Sequence, residues 1–233
     1  HVPPSEKVVL AGIGMGGQGM QNITNFLQIP EIQVTAVCDV NRESGGYISA
    51  NWNMGKEQKT AGREPALRAV EEFYAQQRRS GKYRGCHAYA DYRELLAKEK
   101  TDAVMVSTPD HAHAVITMAA IKLGKHVYCE KPLTRTVRES RALAEAARRQ
   151  KVATQMGNQG MAFEGNRLIN EWLWDGAIGP VREVHVWSDR PTHSGKLPLY
   201  WAQGVERPKD EPPVPATTSK SPSPSRSTTP HPQ

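Results

Sequence analysis

The apolar positions in the first forty residues alternate between the two common periods of secondary structure. The apolar run at residues 8–11 predicts a buried strand, and a second run at residues 34–38 predicts another. Between them, Met20, Ile23 and Leu27 repeat with the spacing of an amphipathic helix. Two strands joined by a helical crossover run parallel. The pattern therefore predicts a βαβ unit at the start of the chain.

The same alternation continues to about residue 157. It predicts a strand at 102–107, a helix with Asp110 as its N-cap and Gly124 at its end, and a strand at 126–129. A second helix begins at Thr136, which with Glu139 forms a capping-box pattern, and a short strand follows at 151–156. We predict an α/β fold of the Rossmann type, a doubly wound parallel sheet with helices on both faces.

Two regions interrupt this order. Residues 41–85 form a polar insertion with a predicted helix at 64–79, and the alternation near Val184 predicts the first strand of a different sheet. We therefore expect three parts. These are a Rossmann-type domain at 1–157, the start of a truncated α+β domain at 158–207, and a tail rich in Pro, Ser and Thr at 208–233.

The last residues differ in composition from the rest. Residues 216–233 contain no aliphatic side chain larger than alanine, so this stretch buries too little apolar surface to offset its chain entropy. We expect it to be disordered, and we interpret the chain as a truncated or frame-shifted product.

Composition narrows the function classes. The net charge of +6 is spread over the chain, and the densest group of basic side chains, between Arg135 and Lys151, is mixed with Glu139 and Glu145, which argues against nucleic-acid binding. No apolar run is long enough to span a membrane, so no membrane partner is expected. Three scattered cysteines predict neither a disulfide framework nor a zinc site. Because the sequence begins at His1, we expect either a cytoplasmic protein or one whose export signal has been removed.

The turn after the first strand carries the first candidate chemistry. A glycine-rich turn between a strand and a helix lets the backbone approach a pyrophosphate, which then lies on the helix N-terminus. An acid at the end of the second strand, 22 residues after the last of these glycines, suits the ribose hydroxyls of a dinucleotide. The residues concerned are Gly12, Ile13, Gly14, Met15, Gly16, Gly17 and Asp39.

Asp39 also bears on the choice of cofactor. A carboxylate at this position accepts hydrogen bonds from the adenosine ribose and repels a 2′-phosphate, so NAD is favoured over NADP. Arg42 works against this preference, because its planar guanidinium suits an adenine ring or a 2′-phosphate.

Polar residues collect after three further predicted strands. The segments are Ser107-Thr108-Pro109-Asp110-His111-Ala112-His113, Glu130-Lys131-Pro132 and Gly157-Asn158-Gln159-Gly160. Ligands of doubly wound sheets bind beyond the carboxyl ends of the strands, so these segments are expected at one site. His111 and His113, two positions apart at a helix start, diverge and do not form a metal pair. We expect no metal.

The glycine-rich turn, Thr-Pro-Asp-His-Ala-His, Gly-Lys-His-Val and Glu-Lys-Pro, in this order, resemble the Gfo/Idh/MocA family over about residues 8–191. The insertion, with Gly-Arg-Glu-Pro at 62–65, and the stretch at 175–183 resemble a bacterial subgroup often made with export signals. The resemblance implies an NAD(P)-dependent oxidoreductase that transfers hydride between nicotinamide and a sugar or polyol. It also allows a homo-oligomer, which a truncated chain makes doubtful.

The resemblance also implies residue roles. Lys131 matches a catalytic lysine near the nicotinamide and the substrate hydroxyl, and His113 matches a second catalytic position better than His111 does, although it could instead be a packing or capping histidine. Glu130 is expected to orient the cofactor or Lys131. Cofactor contacts are further expected from Ser107, Thr108, Pro109 and Asp110.

Two other functions fit the same residues. One is a glycoside hydrolase that uses NAD for a transient oxidation. The other is a nucleotide-binding fragment without catalytic activity.

Overall fold

Six parallel strands form one sheet in the computed structural model, which describes residues 3–48 and 58–185. The strands are β1 (Val8–Ile13), β2 (Ile32–Cys38), β5 (His87–Tyr89), β6 (Ala103–Val106), β7 (His126–Glu130) and β8 (Thr154–Gly157), in the order β5-β2-β1-β6-β7-β8. A separate antiparallel pair consists of β3 (Ser44–Ile48) and β4 (Gln58–Ala61). Strands β2 and β5 lie on one side of β1, and β6, β7 and β8 lie on the other. Sheets of this kind bind nucleotides at the carboxyl ends of the strands where the chain changes sides.

Helices cover both faces of the sheet. They are α1 (Gly17–Leu27), α2 (Arg63–Gln76), α3 (Tyr92–Lys98), α4 (Asp110–Lys122) and α5 (Val137–Gln150); a further helix, α6 (Glu164–Trp174), follows β8. One buried cluster packs α3, α4 and α5 against side chains such as Ile13 and Val104, and the other packs α1 and α2 against Leu10 and Val34. The alternation of Leu10 and Ile13 between the two clusters reflects the two-residue period of a strand. The predicted doubly wound fold is confirmed.

Helix boundaries agree with the predicted signals in one case and correct them in another. Thr136 accepts a hydrogen bond from the Glu139 amide while Glu139 reaches back to the Thr136 amide, so the capping box is present. The expectation that Asp110 caps α4 is wrong: Pro109 holds the N-cap position and Asp110 is the first helical residue. The proline fixes an extended backbone there, and no side chain caps the helix.

The polar insertion is tied to the glycine-rich turn. The Gly62 amide donates to the Met15 carbonyl at 2.8 Å, and the Arg63 amide donates to the Asn41 carbonyl at 3.1 Å. On the other side of α2, Val70 is fully buried in the sheet core. The segment therefore supports the turn and part of the core, a role that its polar composition did not indicate.

The region after β8 extends the described structure to residue 185. A 3-10 turn at Gln159–Ala162 leads into α6, which buries no side chain among the described residues. Residues 3–182 as described belong to one compact unit. No strand forms at 181–185. Three predicted parts lie outside the described residues: the remainder of the strand near Val184, the rest of the α+β domain predicted at 158–207, and the tail at 208–233.

No helix in the described ranges is long and apolar enough to cross a membrane.

Candidate cofactor and substrate site

The turn after β1 is held against the loop after β6 with no space for a side chain at Gly14. Its φ of +88° lies in the left-handed region, and a Cβ there would come within 2.6 Å of the Ser107 carbonyl carbon and the Thr108 nitrogen. The Ser107 amide donates to the Ile13 carbonyl at 2.8 Å and closes the contact. The turn can thus present its backbone to a ligand without a side chain in between.

The helix that follows, α1, approaches the turn at Gly19. Gly17 begins α1, but a Cβ on Gly19 would lie 1.8 Å from the Gly14 carbonyl oxygen, so Gly19 is a position where helix and turn touch. Its place two residues after Gly17 is the signal for this contact in the sequence. No side chain caps the first turn of α1 at Gly16, and the unfilled end suits an anion such as a pyrophosphate.

Asp39 lies beside the same turn. Its Oδ2 accepts a hydrogen bond from the Met15 amide at 2.6 Å, and its Oδ1 accepts one from the Asn41 amide at 2.8 Å. The structure therefore brings together the glycine-rich turn and the acid that the sequence paired with it.

Two arginines accompany this acid. Arg63 Nη1 donates to the carbonyls of Asp39 and Val40 at 3.1 and 3.0 Å, so a guanidinium lies against the backbone of the acid. Arg42, which the sequence analysis singled out instead, is 77% exposed and lies 4.0 Å from Glu64. Arg63 was missed because it lies in the insertion, 24 residues from Asp39.

A second cluster of side chains forms at the ends of β6, β7 and β8. Glu130 is only 4% exposed, and one of its oxygens, Oε1, accepts from Asn22 Nδ2 at 2.7 Å, Gln159 Nε2 at 2.5 Å and the Tyr128 hydroxyl at 3.3 Å. Asn22 also donates to Ser107 Oγ at 3.1 Å. We call these residues, Asn22, Ser107, Tyr128, Glu130 and Gln159, the carboxylate cluster.

Each member of the carboxylate cluster has a defined neighbour. The Gln18 side chain donates to Asn22 Oδ1 at 2.8 Å, which fixes the Asn22 amide with its donors toward Glu130. Burial raises the pKa of the Tyr128 hydroxyl to about 12, and the negative charge of Glu130 acts in the same direction. All three of these hydrogen bonds to Glu130 use Oε1, so in the described part of the chain none of them occupies the second oxygen, Oε2.

Asn22 and Tyr128 were absent from the predicted site. Asn22 lies on the inner face of α1 with Gly19 and Ile23, and a polar residue at that spacing was an available signal. Gln159 stands in one of the three segments expected at the strand ends, and it does reach Glu130.

Lys131 and His113 occupy different environments. Lys131 is exposed at the end of β7, followed by a cis peptide bond to Pro132. His113 is only 1% exposed, and its two ring nitrogens lie 2.7 Å from the Thr108 carbonyl and 2.6 Å from the Pro132 carbonyl. A direct catalytic role for His113 does not fit this placement, because neither nitrogen faces open space.

The loop after β6 holds the remaining predicted contacts. Thr108 Oγ1 is buried without a hydrogen-bond partner in the described residues, whereas Pro109, Asp110 and His111 are exposed. A buried hydroxyl that lacks a protein partner, next to a turn that excludes side chains, is what a bound dinucleotide would complete. The residues present therefore fit such a cofactor.

A sequence profile described as an oxidoreductase family with an NAD-binding Rossmann fold, Gfo/Idh/MocA, matches residues 7–158. The chain belongs to the Gfo/Idh/MocA family. Among curated relatives of this Gfo/Idh/MocA chain, levoglucosan dehydrogenase of Pseudarthrobacter phenanthrenivorans is 31% identical over 117 residues, 48% of this chain and 29% of that protein. An α-N-acetylgalactosaminidase of Shewanella oneidensis is 28% identical over 172 residues, 72% of this chain and 32% of that protein.

A solved structure agrees with the fold. An NAD-binding protein from Listeria innocua superposes with a TM-score of 0.54 and 26% identity over 74% of this Gfo/Idh/MocA chain and 42% of that one. The chain spans about a third of the length of the two curated relatives.

Proposed function

We propose that the chain binds NAD at the carboxyl end of its sheet and belongs to an enzyme that oxidises a sugar or polyol CH–OH group, or reduces the corresponding carbonyl. The observation that carries the proposal is the close approach at Gly14, with Asp39 bound to the next amide of the turn. Family membership and the dehydrogenase among its relatives support the same reaction class.

The two halves of the cofactor would meet different residues. The turn at 12–17 and the first turn of α1 suit the pyrophosphate, and Asp39 suits the adenosine ribose. Thr108 and Glu130 Oε2 offer a hydroxyl and an acceptor on the β6 and β7 side, for the nicotinamide half. Because the Asp39 carboxylate repels a 2′-phosphate, we propose NAD rather than NADP.

Lys131 is the proposed catalytic residue. When bound, the nicotinamide accepts or supplies the hydride. The side chain of Lys131, exposed at the end of β7, can hydrogen-bond the substrate oxygen and exchange a proton with it as the CH–OH group is oxidised or the carbonyl is reduced. We further propose that residues 158–207 begin the substrate domain. The substrate is proposed to be a small polyhydroxylated molecule.

The test uses the 233-residue chain. Calorimetry with NAD measures binding, and absorbance of the reduced cofactor follows turnover with a panel of sugars, polyols and their oxidised forms. We expect NAD binding in the wild type and in Lys131→Gln, and any turnover to disappear in Lys131→Gln. A chain that is folded but does not bind NAD would contradict the proposal.

The relative named as an α-N-acetylgalactosaminidase supports a second candidate, a glycosidase that uses NAD without net consumption. Release of sugar from a nitrophenyl glycoside without accumulation of reduced cofactor would favour it. Accumulation of reduced cofactor in step with product would favour the dehydrogenase.

A further inference from the structure

His113 joins the loops that follow two neighbouring strands. It lies in the first turn of α4, and its Nε2 contacts the Thr108 carbonyl after β6 at 2.7 Å. Its Nδ1 contacts the Pro132 carbonyl after β7 at 2.6 Å. One buried ring therefore connects the loop that touches Gly14 with the turn that carries Lys131.

The two contacts together specify the charge of the ring. A carbonyl oxygen only accepts hydrogen bonds, whereas a neutral imidazole has one N–H donor and one lone pair. A neutral His113 would therefore direct a lone pair at one of the two carbonyl oxygens inside the protein, where an unsatisfied polar contact is costly. Both contacts are hydrogen bonds only when both nitrogens carry a proton.

Neighbouring groups act in the same direction. Burial alone lowers the pKa of His113, but hydrogen bonds with the Cys129 thiol and the carbonyls of Pro132 and Thr108 outweigh it and raise the pKa to about 9. The thiol of Cys129 on β7 is the titratable group against the ring. Asp110 and His111 on α4, and Lys131 in the turn, have exposed side chains.

We propose that His113 is a positioning residue, an imidazolium whose two N–H groups hold the Lys131-Pro132 turn against the loop at residues 107–109. It acts through Lys131 and Thr108 and does not touch the substrate. The role assigned to Lys131 rests on the proposed function, whereas the double hydrogen bond does not.

Loss of the second proton has a defined consequence. A deprotonated ring can donate a hydrogen bond to only one of the two carbonyl oxygens. The ring then no longer holds the Lys131-Pro132 turn against the loop at residues 107–109. Cofactor affinity should then be constant from about pH 6.5 to pH 8 and weaken as the pH rises through 9.

Long-range ¹H–¹⁵N correlation on the full chain tests the protonation state without a cofactor. At pH 7.5 we expect His113 to show both nitrogens protonated, with a change to the neutral ring near pH 9. One unprotonated nitrogen at pH 7.5 would overturn the proposal. This measurement needs a variant only to assign the signal, for which His113→Gln serves.

NAD titrations from about pH 6.5 to pH 10 test the positioning role. Three variants accompany the wild type: His113→Gln, Lys131→Gln, and Thr117→Val as a control that alters another buried α4 side chain whose hydroxyl has no protein partner among the described residues. We expect the alkaline loss of affinity, several-fold in size, in the wild type, Lys131→Gln and Thr117→Val, and its absence in His113→Gln.

The outcomes separate the two proposals. A loss that vanishes in Lys131→Gln, or persists in His113→Gln, would overturn the positioning role. If no form of the chain binds NAD while the ring is doubly protonated at pH 7.5, the proposed function fails and the double hydrogen bond stands. If His113→Gln does not fold, the His113 signal is assigned by through-bond correlation to its own backbone amide, and the ¹⁵N measurement on the wild type, together with the pH profiles of the other two variants, still decides between a cationic and a neutral ring.

Discussion

The carboxyl end of the sheet has two halves that are built by different means. On the β1 and β2 side, the glycine-rich turn is shaped by backbone contacts, and the Met15 and Asn41 amides both donate to Asp39. On the β6, β7 and β8 side, the carboxylate cluster and His113 are held by side chains that converge on buried acceptors. The first half depends on the absence of side chains, and the second on their donors.

This difference predicts two kinds of sensitivity. A steric site tolerates no added atoms, and its response to substitution should not depend on pH. A cluster of buried polar groups loses stability when one donor is removed, and its response should depend on protonation.

The largest effect is expected for Gly14→Val, which places atoms 2.6 Å from the backbone of Ser107 and Thr108 at a φ of +88°. Calorimetry should show NAD affinity lower by more than about 100-fold, or about 2.7 kcal/mol. Gly124→Ala is the matched control, because Gly124 has a φ of +71° and nothing within 4 Å of its Cβ position. Unchanged NAD affinity in a folded Gly14→Val variant would show that the β1 and β2 side of the site does not depend on the absence of a side chain at Gly14.

The next effect concerns the carboxylate cluster. Asn22→Leu removes the amide that donates to Glu130 Oε1 at 2.7 Å, so denaturant unfolding should show a free energy lower by about 2–3 kcal/mol. Asn25→Leu serves as control, because Asn25 lies on the exposed side of α1. Equal losses in the two variants would mean that the hydrogen bond to Glu130 contributes nothing specific.

A pH-dependent effect should distinguish His113. Its pKa is raised from about 6.5 to about 9, so the folded state holds the proton more tightly and the stabilisation is complete below pH 6.5. That stabilisation is lost as the pH rises through 9, by about 3 kcal/mol.

The measurement is the difference in unfolding free energy between wild type and His113→Gln at several pH values. Both proteins contain the buried thiols of Cys38 and Cys86, whose pKa values burial raises to about 12 and which ionise near pH 9 when the protein is unfolded. The difference between the two proteins therefore removes the contribution of these thiols to the pH dependence. A difference that is flat with pH would argue for a neutral ring.

The smallest effect is expected at Asp39. Asp39→Asn removes the charge that repels a 2′-phosphate, so the preference for NAD over NADP should narrow by about 1 kcal/mol, several-fold in the ratio of dissociation constants. Competition titrations with both cofactors measure it. Equal dissociation constants for NAD and NADP in the wild type would mean that attraction of the 2′-phosphate by Arg42 or Arg63 outweighs its repulsion by the Asp39 carboxylate.

The glycine-rich turn and its acid could be predicted from the sequence because the residues that shape this side of the site lie close together in the chain. Gly12, Gly14 and the run that ends at Asp39 specify a strand, a turn and an acid within one βαβ unit. The carboxylate cluster could not be assembled in this way, since Asn22 and Glu130 are 108 residues apart in the chain and meet because α1 brings Asn22 to the residues that end or follow β6 and β7. The sequence indicated that Glu130 and Gln159 lie at one edge, but not that they touch.

Predictions from resemblance were weakest where two residues have similar chemistry and different burial. Lys131 and His113 both looked suited to proton transfer, yet one is exposed and the other is enclosed by two carbonyl groups. The apolar neighbours of His113 on α4, among them Ala114 and Ile116, placed that helix in the core without indicating which way the imidazole faces.

The hydrogen bond from the Met15 amide to Asp39 has a further consequence. It preorganises the turn before any cofactor arrives, so less conformational entropy is lost on binding. In the proposed complex, the same carboxylate would set the shape of the turn and meet the adenosine ribose. Engineering toward NADP by replacing Asp39 alone would therefore loosen the phosphate-binding backbone and weaken affinity for both cofactors, and a compensating acceptor for the Met15 amide would have to be introduced with it.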